Sequence, residues 1–361
     1  MQGRPGHLNV YIVTLSSSSR RFDVLPGETV LEAAQRAGIA LPYSCRSGVC
    51  GSCKATLIEG RCDYPRNPPT ALDVHDRAHH AVLLCQAVPL TDLVVAAREI
   101  YSVEDVARRE LDARVIRKWR LAPDVVGLHL QPVEGEARWN WLPGQYLDVL
   151  LEDGRRRPFS IANGPQADGA IELHVRHVSG GGFTSWVSEV LKEGDTLRIE
   201  GPLGTFVPRE DSERPIIFMA GGTGFAPVKA IVEHFLALGT RRVIDVYWGA
   251  RSAEDFYQHS LAEQWASSTP NLRFHAVLSD SELAQRCGMR EGLVHEAVLE
   301  DHPDLSSYDI YMSGPPAMID AGRKLFTDAG LPEDRLYYDS FDYAPDVLAQ
   351  ILAARAGINE A

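Results

Sequence analysis

No run of apolar residues is long enough to read as a membrane span. The longest weakly polar stretch, Pro215 to Val232, has small and turn-forming residues at its centre and carries Lys229, so it reads as a strand, a loop and a helix start. A signal-type hydrophobic region is lacking too, because the chain opens with Gln2, Gly3, Arg4 and Pro5; a soluble, cytoplasmic protein without membrane insertion is expected. Positive charge is in deficit. With 36 Lys and Arg against 49 Asp and Glu, the formal charge of -13 excludes a phosphate-binding surface over the whole molecule and argues against nucleic acid, although a local basic patch survives this average. Internal repeats and low-complexity tracts do not occur. Cysteine is scarce, with six in 361 residues, and unevenly placed: Cys45, Cys50, Cys53 and Cys62 lie close together, Cys85 follows, and Cys287 is far away. In a reducing compartment that placement favours metal ligation over disulfides.

What is present is ample core material. A hydrophobic content of 45% excludes wholesale disorder, and 361 residues imply two to three domains at about 150 residues each. The first region, 1–97, shows alternating apolar positions in His7 to Thr14 and Arg21 to Val24. Pro26-Gly27 makes a turn, and Thr29 with Glu32 caps a short helix from Val30 to Ala37. Arg98 to Asp112, mixed in charge, reads as a solvated connector. Short strands at Ala113 to Lys118, Val125 to Pro132, Gln145 to Leu151, Ile171 to Val178 and Thr196 to Glu200 then predict an antiparallel barrel. Beyond Arg214, buried strands at Ile216 to Ala220, Val243 to Gly249, Leu272 to Val277 and Ile310 to Ser313 alternate with helical lengths, the pattern of a parallel α/β sheet.

The strongest chemical signal is Cys45-Arg-Ser-Gly-Val-Cys50-Gly-Ser-Cys53, followed by Cys85 in Leu-Leu-Cys-Gln-Ala. Three thiolates on one tight loop and a fourth from a separate segment can hold two irons bridged by two sulfides. Gly48 and Gly51 permit close backbone approach and let amides point at sulfur. Separated C-x2-C units, usual for structural zinc, are not found. The spacing resembles a plant-type 2Fe-2S ferredoxin; that resemblance implies that Cys45 and Cys50 hold one iron while Cys53 and Cys85 hold the other. Cys62 would be a fifth ligand to a site needing four, so it and Cys287 read as packed or partly exposed thiols, and His79 and His80 as surface residues.

In the barrel region Pro143-Gly-Gln-Tyr146 precedes Arg157-Pro-Phe-Ser160, which is read as following a strand. A planar arginine can clamp pyrophosphate, an aromatic ring can cover a ring face, and a hydroxyl can bond a heteroatom without adding charge. Taken alone, Arg155 to Arg157 would be a solvated turn. Farther on, His174-Val175-Arg176 lies on a strand, and Gly180 to Ser185 opens a helix whose amides, with Thr184 and Ser185, offer an anion site. Together these segments resemble the flavin-binding domain of the ferredoxin-NADP reductase superfamily. The resemblance implies that Arg157 binds phosphate, Phe159 packs at the isoalloxazine and Ser160 lies near its N5. Tyr146, Pro158, His174, Val175, Arg176, Gly182, Thr184 and Ser185 complete the implied flavin set, with neither His174 nor His177 as a proton carrier. Gly201-Pro-Leu-Gly204 matches the segment that ends the barrel. Phenylalanine at 159 replaces the family's common tyrosine, keeping the stacking surface without its hydroxyl.

Ile216 to Ala220 runs into Gly221-Gly-Thr-Gly-Phe-Ala-Pro227, placing a glycine turn between strand and helix, where amides meet a dinucleotide phosphate. This is not the GxGxxG pattern. Tyr247-Trp-Gly-Ala-Arg251 and Ser313-Gly-Pro-Pro-Ala-Met318 resemble the superfamily's nicotinamide domain, where a cysteine stands at position 313. The resemblance implicates Gly222, Thr223, Gly224, Arg251, Gly314 and Pro315 in nucleotide binding. It also makes Ser160, Ser313 and Phe341 the residues nearest hydride transfer, Phe341 shielding the flavin from Tyr337-Tyr-Asp-Ser-Phe341. Serine at 313 is expected to alter transfer rate or nucleotide affinity without abolishing the chemistry.

The similarity covers nearly the whole chain. It implies a multidomain protein: an N-terminal β-grasp ferredoxin domain at 1–97, a linker at 98–110, an antiparallel β-barrel FAD domain at 111–211, a parallel α/β nicotinamide domain at 212–343 and an added tail at 344–361. It is closest to reductase components of bacterial oxygenases and to the CDP-6-deoxy-3,4-glucoseen reductase family. NADH is expected as substrate over NADPH, since Val277-Leu-Ser-Asp280 shows no basic cluster for a 2'-phosphate. Two electrons arriving as hydride at FAD then leave singly through the 2Fe-2S cluster. The expected acceptor is a separate protein, an oxygenase component or its ferredoxin, with a nucleotide-linked deoxysugar dehydratase as the alternative.

Overall fold

A computed structural model describes residues 9–100, 106–133, 139–165, 169–178 and 182–341, with the side chain of Cys287 excepted. Gly180 and the tail at 344–361 therefore lie outside the described residues, as does the Cys287 thiol. The chain divides into two compact units, Met1–Asp105 and Val106–Ala361.

In the first unit, β1 (Tyr11–Leu15) and β2 (Arg21–Val24) form a hairpin whose Val13, Leu15, Phe22 and Val24 point into the core. Helix α1 (Val30–Arg36) starts on the expected capping box. The Glu32 amide donates to Thr29 Oγ1 at 3.2 Å and the Thr29 amide to Glu32 Oε2 at 2.9 Å. Its Val30, Leu31, Ala33 and Ala34 pack onto the same core. The remaining elements are β3 (Lys54–Glu59), β4 (Cys62–Asp63), α2 (Val74–Ala78), β5 (Ala81–Leu83), β6 (Val88–Pro89) and β7 (Leu93–Ala96). The main sheet runs β2-β1-β7-β3-β5, with β1 and β7 parallel and its other pairs antiparallel.

The second unit begins with β8 (Arg109–Ala122), β9 (Val125–Pro132), β10 (Tyr146–Leu150), β11 (Arg156–Ser160), β12 (Ile171–Arg176), α3 (Gly182–Glu189) and β13 (Thr196–Leu203). These strands form an antiparallel sheet in the order β11-β10-β13-β8-β9-β12. Its two edge strands come together just past β11, where Ile161 bridges Leu173. Two placements differ from the sequence reading. Arg157-Pro-Phe-Ser160 does not follow a strand but lies on β11, because Leu150 to Tyr146 of β10 offers it a full antiparallel ladder. The last residues of the connector are strand as well, since Arg109 to Asp112 pair with Gly201 to Arg198 of β13.

The rest of the unit alternates strand and helix: β14 (Ile216–Gly221), α4 (Phe225–Ala237), β15 (Ile244–Ala250), α5 (His259–Ser268), β16 (Leu272–Leu278), α6 (Ser281–Cys287), β17 (Arg290–Glu291), α7 (Val294–Asp301), β18 (Asp309–Gly314), α8 (Pro316–Asp328) and β19 (Leu336–Ser340). The sheet is parallel, in the order β17-β16-β15-β14-β18-β19. Both faces are covered: Phe218, Ala220 and Trp248 pack on one side, Ile217, Met219 and Tyr247 on the other. Continuous burial along β14 and β18 follows from that covering and explains the unbroken apolar sequence of β14 and the Ile310 to Met312 run of β18. Among the described residues, no helix is long and apolar enough to cross a membrane.

Candidate functional site

In the first unit the loop carrying Cys45, Cys50 and Cys53 turns on left-handed backbone at Arg46, Gly48 and Gly51. A side chain at Gly48 would press against Gln86 at 3.0 Å. Gln86 itself is buried and its Nε2 donates to the Arg46 carbonyl at 2.7 Å, tying the loop to the segment that delivers Cys85. The thiols neighbour one another: Cys45 feels Cys50, and Cys53 feels both Cys85 and Cys50. Cys50 donates toward Cys45, which together with the Ser47 amide brings the Cys45 thiol down to about 5 despite burial. The same contact and burial push Cys50 up, while Cys85 and burial push Cys53 up. Among the described residues no three metal-type side chains converge as they would on a lone ion. Four neighbouring thiols match the number of protein ligands a two-iron cluster takes. Cys62 is half-buried, its thiol raised by burial, and both His79 and His80 are exposed.

In the second unit, the antiparallel register sets Tyr146 opposite Ser160 and Val149 opposite Arg157. Arg157 is buried and Pro158 exposed, so the arginine run is divided by the pleat. Neighbouring Arg156 pairs with Glu200, and Arg155 with Asp153 at the turn. Gly204 lies under the Tyr146 ring, where a side chain would come within 2.8 Å of it. Half-buried Phe159 packs 5.7 Å from Phe183 on α3, centroid to centroid. At the start of α3, Gly182 is exposed, Thr184 Oγ1 accepts from the Val178 amide at 3.1 Å, and Ser185 Oγ lies 3.0 Å from His177 Nε2. Val175 faces the core. His174 is buried, and burial lowers its imidazole, consistent with a neutral ring.

The glycine loop opens α4. Trp248 Nε1 donates to the Gly222 carbonyl at 3.1 Å, and its ring stacks on Phe225 at 3.8 Å. Gly224 sits directly against the Ser313 carbonyl, 2.0 Å from where a Cβ would stand. Thr223 is half-buried; Arg251 and Pro315 are exposed. Ser313 is fully buried, and its Oγ has no hydrogen-bond partner.

Three residues singled out in distant segments are connected here through Asp339 and Gly314. Ser160 Oγ donates to Asp339 Oδ2 at 3.3 Å. Asp339 is the register partner of Ser313, and the Phe341 amide donates to the Gly314 carbonyl at 3.0 Å. Asp339 lies within Tyr337 to Phe341, where the motif itself marks Phe341 and not Asp339. Its signal was period two: once that segment is a strand, residues 337, 339 and 341 share a face. Two orphaned groups fit a polar ligand at this place: Ser313 Oγ, and Nε with one terminal nitrogen of Arg176, whose guanidinium reaches toward Gly222.

Residues 13–90 match the 2Fe-2S iron-sulfur cluster binding domain, 112–207 the oxidoreductase FAD-binding domain and 218–324 the oxidoreductase NAD-binding domain. The CDP-6-deoxy-L-threo-D-glycero-4-hexulose-3-dehydrase reductase of Yersinia pestis is 39% identical over 313 residues, covering 87% of this chain and 93% of its own. Reductase component 2 of the terephthalate 1,2-dioxygenase of Comamonas sp is 35% identical, over 92% of this chain and 98% of its own. The crystal structure of Amycolatopsis cytochrome P450 reductase GcoB is similar with a TM-score of 0.72 at 34% identity, covering 92% of this chain and 98% of that one.

Proposed function

The chain belongs to the ferredoxin-type, FAD- and NAD-binding oxidoreductases of the ferredoxin-NADP reductase superfamily, and from that membership we propose that its acceptor is a nucleotide-linked deoxysugar dehydratase. It is an NADH-dependent flavin iron-sulfur enzyme that delivers electrons to a separate protein. The oxygenase was the first expectation from sequence; the Yersinia pestis reductase, named for a deoxysugar dehydrase, favours the alternative. An oxygenase component or its ferredoxin stays as the second reading because of the Comamonas and Amycolatopsis relatives.

Cluster ligation is assigned to Cys45, Cys50, Cys53 and Cys85, supported by their neighbouring one another in the first unit. When bound, FAD supplies the conversion between a two-electron hydride and single electrons. The chain's own residues orient that exchange. Buried Arg157 presents a fixed cation, Tyr146 and Phe159 give aromatic surface, and the start of α3 with Thr184 and Ser185 offers amides and hydroxyls to phosphate. Gly222, Thr223 and Gly224 admit the nucleotide closely, with Arg251, Gly314 and Pro315 at neighbouring strand ends. Ser160 holds a hydroxyl proton between its own oxygen and Asp339, Ser313 keeps an unpaired hydroxyl in the strand against the glycine loop, and the Phe341 amide ties the end of β19 to Gly314. The observation that carries this assignment is the meeting of Ser160, Asp339 and the Ser313-Gly314 strand end.

The finer architecture is part of the same proposal: a β-grasp domain at 1–97, a linker at 98–110, a closed barrel at 111–211 and a nucleotide domain at 212–343. Closure is supported by the Ile161 to Leu173 bridge and by the Ala162 amide donating to the Glu172 carbonyl at 2.8 Å. Cysteine used for ligation supports a cytoplasmic site of action. An anaerobic NADH titration with flavin and iron quantified tests the internal chain: one FAD and one 2Fe-2S cluster reduced stoichiometrically is expected. Reconstituted turnover then separates the acceptors, and exclusive turnover with an oxygenase would reject the dehydratase.

A further inference from the structure

Residues 172, 174 and 176 share one face of β12, and each reaches the parallel-sheet half of the unit. Lys229, one turn beyond Phe225 on α4, is buried and donates to Glu172 Oε2 at 3.0 Å, to the Ala162 carbonyl at 3.0 Å and to Glu233 at 3.1 Å. His174 Nε2 lies 2.8 Å from Glu172 Oε1, and its Nδ1 lies 3.1 Å from the Tyr257 hydroxyl. Arg176 binds Asp255 at 2.6 Å. With His174 neutral, one consistent proton pattern follows: Tyr257 donates to Nδ1, Nε2-H donates to Glu172, and Lys229 donates to the other carboxylate oxygen.

This network leads into the glycine loop by two routes. Lys229 is on the helix that the loop opens. Tyr257 packs edge-on against Trp248, with centroids 5.2 Å apart, and Trp248 both stacks on Phe225 and holds the Gly222 carbonyl. Apolar residues would join the two halves with equal or greater stability, whereas directed, desolvated hydrogen bonds fix their orientation. We propose that Glu172 is a positioning residue whose carboxylate, through Lys229 and through His174 and Tyr257, holds the glycine loop in register with the flavin-side strand and so sets the approach of NADH. The proposal rests on the assignment of β12 to flavin and of the loop to NADH.

The test uses full-length, cofactor-loaded protein carrying Glu172→Gln, with Tyr257→Phe as the milder variant that removes one hydroxyl and keeps the ring. FAD and iron content are quantified, and dithionite reduction reports cofactor integrity. The rate of flavin bleaching at saturating NADH, the charge-transfer absorbance of reduced flavin with NAD+, and amide hydrogen exchange over residues 222–225 report registration. Glu172→Gln is expected to keep FAD, lower the limiting bleaching rate by roughly tenfold, weaken the charge-transfer band and speed exchange in the loop. Tyr257→Phe should move the same readouts in the same direction by about two- to threefold. Unchanged rate, band and exchange with FAD retained would overturn the proposal, and so would loss of FAD from Tyr257→Phe, which would make the network a flavin-retention device. Failure of NADH to bleach the parent protein would instead strike at the reductase reading itself.

Discussion

Replacing Gly224 by alanine sets two physical effects of opposite sign against each other. Its backbone, at φ -57 and ψ -13, is ordinary right-handed helical geometry. On propensity alone, alanine would stabilise by about 0.5–1 kcal/mol. The new Cβ, however, would stand 2.0 Å from the Ser313 carbonyl oxygen and 2.5 Å from its carbon, whereas ordinary contact begins at 3.4 Å. Those atoms belong to the backbone of β18, which is paired on both sides with β14 and β19, so relief requires the loop to retreat by roughly 1 Å, at a cost of about 1–3 kcal/mol. The apparent melting midpoint should fall by roughly 2–4 °C per kcal/mol for a unit of this size. Misplacement of that order can lower the rate of an aligned transfer up to about 100-fold. Gly224→Ala is therefore expected to melt earlier and to slow flavin bleaching by NADH, while dithionite still reduces both centres. A variant that melts at or above the parent and bleaches at the parent rate would refute the steric argument.

Cys85→Ser should abolish cluster absorbance and stoichiometric iron while FAD remains reducible by NADH; a full complement of iron in that variant would remove Cys85 from the ligand set. Arg242 and Asp309 form a nearly inaccessible ion pair at 2.6 Å, so Arg242→Met, which leaves the buried carboxylate only the longer 3.6 Å contact with Arg335, should cost about 3 kcal/mol in denaturant unfolding, and a loss below about 1 kcal/mol would contradict it. Burial opposes ionisation of Glu172, but the His174 hydrogen bond and the Lys229 charge hold it at about 2 against an ordinary 4.5. A depressed folded-state value contributes stability that is complete above pH 4.5 and is lost as pH falls through 2; the stability gap between parent and Glu172→Gln should narrow across that window, and a constant gap would disprove the assignment.

Features encoded over short distances were legible in the sequence. The Thr29-Glu32 cap, the cysteine spacing and the glycine turn after an apolar strand each state their geometry within about ten residues. Pairing at long separation was not. Ser160 meets Asp339 across 179 residues and Lys229 meets Glu172 across 57, and no local period announces either contact. Lys229 is instructive, because in sequence it argues only that Pro215 to Val232 is no membrane span. In the fold it is 6% exposed, which a lysine sustains by finding anions on another element. Strand β19 was missed because its pattern is buried on both faces, leaving none of the alternation that marks a half-exposed strand. Arg157 to Ser160 was misplaced because a strand was expected to end before the arginine run, whereas β10 provides a ladder that extends through it.

The distribution of unsatisfied groups links these long-range contacts to the chemistry. A buried hydroxyl or guanidinium nitrogen without a hydrogen-bond partner costs about 1–3 kcal/mol; among the described residues such groups occur also at Glu99, Arg209, His295, His302 and Asp309, so position beside the glycine loop is what distinguishes Ser313 and Arg176. Ser313 Oγ and Arg176 Nε and Nη2 are such groups, and their residues adjoin one glycine loop: Gly224 lies against the Ser313 carbonyl, and Gly222 lies beneath the Arg176 guanidinium. Around them the polar atoms are paired, Glu172 with Lys229 and His174, Ser160 with Asp339, Arg176 with Asp255. The paired groups fix where the two sheets meet. The unpaired ones remain available to a polar ligand entering that seam, as an enzyme that must align a nicotinamide with a flavin requires.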